Sequence, residues 1–140
     1  MKKEIGIGCR IDDEKAIKRL FKIRRRPKTK AVPVLFSSID MVREYIKEIP
    51  QDAENLMKKY WPGALTIILR CNKVTVPSLV RGGGETLGVR IPNSKVLQTI
   101  ISEVGAPILG PSANFSGNKT PYSFKELDKK LVNLVDFVVM

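Results

Sequence analysis

The sequence has no histidine, only two cysteines, one tryptophan, and no apolar run of bilayer-spanning length. Without histidine the usual general base and the commonest metal ligand are missing, which argues against a zinc site or a Ser-His triad. Cys9 and Cys71 stand far apart, without metal-ligand spacing, and read as buried small hydrophobes or reduced thiols rather than as a disulfide. A compartment inside the cell follows from that reading. Met1-Lys2-Lys3-Glu4 is followed by no long apolar stretch, so neither a signal peptide nor a spanning helix is expected. The expectation is a soluble, cytoplasmic protein with no membrane partner.

What is present is an ordinary globular composition with an uneven charge. A length of 140 residues, with 43% apolar and 28% charged, suits one domain over residues 1–140. Lys and Arg number 25 against 14 Asp and Glu, a net charge of +11. That excess points to an anionic partner such as nucleotide, pyrophosphate or RNA, or else to a solvated surface whose charge only aids solubility.

Apolar spacing gives alternating helices and strands. Residues 12–23 start at Asp12-Asp13 and align Ala16, Ile17, Leu20 and Phe21 on one helical stripe, with Arg24-Arg25-Arg26-Pro27 at its end. Residues 32–36 read as a buried strand. Ser37 and Asp40, spaced as a capping pair, start a helix carrying Ile39, Val42, Tyr45, Ile46 and Ile49 and ended by Pro50. A further helix covers 51–60, and Trp61-Pro62-Gly63 turns the chain into a core strand over Leu65–Leu69. Gly82-Gly83-Gly84 is a turn before a strand over Thr86–Ile91. Asn93 then caps a helix that Gly105 breaks, and Pro107-Ile108-Leu109 begins another strand. Ser123 and Glu126 have capping-box spacing ahead of a helix to about Leu131, and Leu134–Val139 is a last apolar strand. This alternation predicts an α/β fold, an open twisted sheet with flanking helices and some antiparallel pairs.

Three features could carry chemistry. Gly110 to Gly117 is crowded with glycine, hydroxyl and amide groups that can cradle phosphate, or that can satisfy their own backbone as a turn. The Arg24-Arg25-Arg26 cluster can neutralise a polyphosphate through bidentate guanidinium contacts, or be a solvated helix end. Arg90 lies within an otherwise apolar strand, where a charge must be paired or face a ligand.

In order along the chain, Arg24-Arg25-Arg26-Pro27, Trp61-Pro62-Gly63-Ala64-Leu65-Thr66, Val89-Arg90-Ile91-Pro92 and Pro111-Ser112-Ala113-Asn114-Phe115-Ser116-Gly117 resemble four motifs of the YrdC family. These are a Lys-x-Arg pair, a Trp-Pro-Gly-Pro-Leu-Thr strand entry, a Val-Arg-x-Pro strand end and a Pro-Ser-Ala-Asn-x-Ser-Gly loop. The likeness runs from about Gly6 to Asp136. Departures are Lys3 and Ile5, where the family's first strand has a threonine and a tyrosine, Arg24 for the lysine of the basic pair, and Tyr122 for a threonine. The family's first and last strands are also missing from the pattern.

The resemblance implies an α/β fold around a basic cleft and synthesis of threonylcarbamoyl-adenylate from threonine, bicarbonate and ATP, with pyrophosphate released, for tRNA modification. Carried over by position, Arg24, Arg26, Ser112, Asn114 and Ser116 would hold nucleotide and phosphate, while Thr66 and Arg90 would line the substrate cleft. Mg²⁺ would arrive with ATP, with no fixed protein metal site and no dedicated protein base, since adenylate formation needs orientation and charge neutralisation above all. The alternative is a non-catalytic nucleotide- or RNA-binding module that keeps the basic cleft. Partners in tRNA modification, or a second copy completing the sheet, are the expected assemblies.

Overall fold

A computed structural model describes residues 3–139, so Met1, Lys2 and Met140 lie outside it. Helix α1 spans Glu14–Arg24; Asp13 caps it by accepting from the Ala16 N–H at 3.0 Å, and Ile17, Leu20 and Phe21 are its buried stripe. The helix ends where Arg25 turns into the left-handed region (φ 55°) and Arg26 N–H donates to Phe21 C=O at 2.9 Å. A glycine usually takes that position, because a Cβ is unfavourable there. Here an arginine holds it.

The central strand is β1, Val34–Leu35. It pairs in parallel with β3, Thr86–Arg90, and antiparallel with β4, Ile108–Leu109, while β2, Ile67–Arg70, is antiparallel to β3. The order is β2-β3-β1-β4, the mixed open sheet expected from the sequence. Val34 and Val89, paired with each other, are fully buried in the main core with the inner faces of α1 and of α3, Gln51–Tyr60. A smaller cluster of Ala113, Phe115 and Leu131 lies apart, and Ile7 packs against both.

Several local expectations are corrected. Ser38, not Ser37, caps α2 by accepting from Met41 N–H, and α2 covers only Ile39–Arg43 instead of reaching Ile49. Sheet-like pairing takes the remainder: Ile46 bridges Cys71, Lys47 N–H donates to Arg70 C=O and Asn72 N–H to Tyr45 C=O. Ser94, not Asn93, caps α4, Lys95–Val104, which Gly105 ends in the left-handed region. Strand β2 is an edge strand rather than a core one, with Ile68 71% exposed. The Ser123/Glu126 pair makes no capping box. Glu126 accepts from Tyr122 N–H, Phe124–Glu126 is a single 3-10 turn, and α5 starts separately at Lys129 under Asp128. Leu134–Val139 joins no sheet; Arg19 holds the segment against α1 through Asp136 and Leu134 C=O, leaving Phe137 90% exposed.

Beyond β4 the first residues extend the sheet without forming a regular strand. Ile7 N–H donates to Pro111 C=O, Leu109 N–H to Cys9 C=O, Ile11 N–H to Pro107 C=O and Ala113 N–H to Ile5 C=O, all at 2.8–3.0 Å. This segment forms part of the wall of an apolar groove of about 660 Å³ between α1 and α4. Gly8 runs so close to its neighbour that a Cβ would lie 2.4 Å from Leu109 O, a backbone atom that cannot move aside alone. Gly8→Ala should therefore lower stability by about 1–3 kcal/mol through overpacking, read from denaturant midpoints; an unchanged midpoint would contradict the close approach.

Cys9 is a free thiol in this segment; burial first, and then the charge of Asp13, push it up to about 12 from 9.0. Its folded pKa is the higher one, so its contribution to stability is complete below pH 9.0 and is lost as pH rises towards 12. Cys9→Ala should show a shallower loss of stability than the parent over that alkaline window, and parallel curves would remove the thiol as the cause.

Candidate functional site

The end of α1 and the loop from Gly110 to Gly117 are held together by main-chain and side-chain bonds. Ser116 N–H donates to Arg24 C=O at 2.6 Å, while Arg24 Nε donates to Asn114 C=O at 3.2 Å and Nη2 to Ser112 Oγ at 3.4 Å. Within the loop, Asn114 Nδ2 donates to the carbonyls of Phe115 and Asn118, both at 3.0 Å. Those two bonds fix the amide and commit Asn114 Oδ1 to facing elsewhere. Arg26 Nη2 donates to Ala31 C=O at 2.6 Å.

What these groups leave unmade is more informative. Arg24 is only 4% exposed, and among the described residues Arg24 Nη1, Arg26 Nε and Asn114 Oδ1 are buried atoms without a partner. No carboxylate forms an ion pair with either arginine among the described residues. Burial, followed by the repulsion of Arg26, holds the Arg24 guanidinium below its ordinary pKa, and burial does the same for Arg26. Buried charges in folded proteins are normally paired, and unpaired buried donors are rare. Two N–H donors and one carbonyl acceptor where the end of α1 meets the loop are thus left without partners, a set whose chemistry suits an anion that also carries a hydrogen-bond donor.

Four of the five nucleotide-site residues expected from sequence, Arg24, Arg26, Ser112 and Asn114, therefore fall into one neighbourhood. Ser116 joins it through its backbone N–H. Thr66 and Arg90 form a separate pair on the outer face of the β2-β3 ribbon. The register sets Ile67 against Val89 and Ile68 against Gly88, and a Cβ on Gly88 would meet Thr66 Cγ2 at 3.2 Å. Strand β1 stands between β3 and β4, about 10 Å across at ordinary strand spacing, and because β4 runs antiparallel to β1 and β3 the loop leaves it in the direction away from Arg90. No hydrogen bond of the Arg90 side chain occurs among the described residues, and Arg90 is half-buried. Sequence reasoning named Arg25 only as part of the basic cluster and gave Asn118 no role, and neither a left-handed arginine nor a carbonyl acceptor four residues downstream has a sequence signature.

The profile of the Sua5/YciO/YrdC family, described as telomere recombination, matches residues 5–140. The chain belongs to that family. A threonylcarbamoyl-AMP synthase of Pyrococcus abyssi (strain GE5 / Orsay) is 34% identical over 96% of this chain, which spans 39% of that relative's length. The solved structure of a doubly substituted P. abyssi Sua5 superposes with a TM-score of 0.90 at 32% identity, over 96% of this chain and 41% of the other. A P. abyssi Sua5 complexed with L-threonine gives a TM-score of 0.81 at 36% identity, over 86% of this chain and 35% of the other. Family membership thus accounts for the sheet order and for the resemblance carried by the four motifs.

A buried Arg24 beside a half-buried Arg26, neither with a carboxylate partner among the described residues, predicts that an anion stabilises the fold. Pyrophosphate should raise the melting temperature more than sodium chloride of matched ionic strength, by a shift equivalent to about 2.7 kcal/mol at a hundredfold excess over Kd. Equal shifts with both salts would mean that the pocket takes no specific anion.

Proposed function

We propose that this chain is a threonylcarbamoyl-AMP synthase-type protein, using ATP, threonine and bicarbonate in tRNA modification, with the ATP phosphates held by Arg24 and Arg26. The observation that carries the reading is the buried Arg24 guanidinium, with Nη1 unpaired, close enough to feel the charge of Arg26, whose Nε is likewise unpaired among the described residues. Asn114 Oδ1 would accept from an ammonium, amide or hydroxyl group of a second ligand next to the phosphates, and the threonine bound by the Sua5 relative has both an ammonium and a hydroxyl. Because this chain spans 39% of the P. abyssi relative, the activity of that whole protein is carried over as part of the proposal.

The chemistry suits such a site. Threonine and bicarbonate combine to a carbamate with loss of water, and a carbamate oxygen then forms a bond to the α-phosphorus while the bond to the β-phosphate oxygen breaks. Negative charge accumulates on the departing pyrophosphate. Guanidinium N–H groups held in place and shielded from water would stabilise that charge without reorganising, and this is a large term in phosphoryl transfer. Mg²⁺ would enter as part of the ATP complex. Ser112, bonded to Arg24, would orient the phosphates, and Thr66 with Arg90 would meet the far end of the substrates.

The net charge of +11 favours a second reading, a nucleotide- or RNA-binding module without turnover. One assay separates them. Pyrophosphate release that needs ATP, threonine and bicarbonate together, and that falls by about a hundredfold or more in Arg24→Met, is the expected result. Release at background, with RNA binding that weakens steeply as salt rises, would favour the binding module instead.

A further inference from the structure

The polyphosphate reading assigns roles to Arg24 and Arg26 but none to the arginine between them. Arg25 is exposed, bonds nothing in the pocket, and occupies the left-handed conformation (φ 55°, ψ 37°) at the end of α1. It is the only residue other than glycine with a positive φ among the described residues. An L side chain is strained there by roughly 1 kcal/mol relative to glycine, so a compensating contact is to be expected. The guanidinium carbon of Arg25 lies 4.3 Å from the centroid of the Phe115 ring. That is a cation-π geometry.

Phe115 is well placed to transmit this contact. It is 5% exposed, packed with Ala113 and Leu131, and lies between Asn114 and Ser116, two of the three loop residues that bond to Arg24. We propose that Arg25 is a positioning residue, its stack on Phe115 holding the loop against the end of α1 so that Arg24, Arg26, Ser112 and Asn114 are in place before the anion arrives. The left-handed turn is what makes this possible: three successive arginines diverge, and the middle one clamps the outside while its neighbours serve the inside. The inference rests on the anion-pocket reading above, and its test separates the two.

The test is calorimetric titration of the full chain with pyrophosphate, in low salt and in about 1 M sodium chloride, where screening shortens the reach of a charge to about 3 Å. Phe115→Leu keeps every charge, yet should weaken binding by roughly three- to thirtyfold, the span a cation-π contact supports. Arg25→Gly relieves the backbone and should melt no lower than the parent, while losing affinity by a similar factor that persists in high salt. Arg25→Lys should recover part of the loss, and the Arg25→Gly/Phe115→Leu double variant should be no worse than Arg25→Gly. A folded Phe115→Leu variant that binds as the parent does, or an Arg25→Gly loss that disappears in high salt, overturns the positioning role while leaving the pocket standing. Failure of the parent chain to bind pyrophosphate overturns both.

Discussion

A buried guanidinium with no counter-ion is the constraint on which the rest of the structure turns. Removing an arginine from water costs several kcal/mol, and proteins normally recover this by pairing the charge. Among the described residues the guanidinium of Arg24, which is 4% exposed, has only Asn114 C=O and Ser112 Oγ as partners, while Arg26 nearby adds repulsion. Such an arrangement makes physical sense if the missing negative charge comes from a ligand. The fold then has to hold the arginines in that unfavourable arrangement in the ligand's absence, and its local bonds can be understood in those terms.

The holding is done from both sides. On one side, α1 is anchored by the burial of Ile17, Leu20 and Phe21 and closed by the Arg26 N–H bond to Phe21 C=O, which turns the chain sharply at the required place. On the other, the loop after β4 is tied to the first residues by the Ile5 and Ile7 backbone bonds and to α1 by Ser116. The close pass of Gly8 over Leu109 belongs to the same design, because the loop follows directly from the strand that Gly8 covers. Stability spent on the arginines is thus offset by backbone pairing and apolar contacts immediately around them.

Much of this was legible in the sequence, for reasons that vary by element. The helical stripe of α1 and the β-branched runs of the sheet are governed by local periodicity, and they formed close to where expected. The helix expected through Ile49 failed because Ile46 gains a bridge to Cys71, a pairing that only the folded chain brings together. Leu134–Val139 has the composition of a strand, yet it makes no pairing, and the Arg19–Asp136 contact holds it on the outside of α1 instead. Caps moved by one residue, from Ser37 to Ser38 and from Asn93 to Ser94, because adjacent residues had equal capping ability and tertiary packing chose between them. Residue types singled out Arg24, Arg26, Ser112 and Asn114, which the fold brings together, whereas the left-handed conformation of Arg25 rests on one backbone dihedral that no residue pattern reports.

Under the proposed function, phosphate rather than base or sugar is the part of the nucleotide that the arginine pair would recognise. The most direct measurement is a calorimetric comparison of ATP with adenosine on the intact chain, repeated on Arg24→Met. Binding of ATP that is lost both for adenosine and for the Arg24→Met chain, with the variant still folded, is the result this account predicts. Equal binding of ATP and adenosine, or ATP binding that survives the loss of the Arg24 guanidinium, would contradict it.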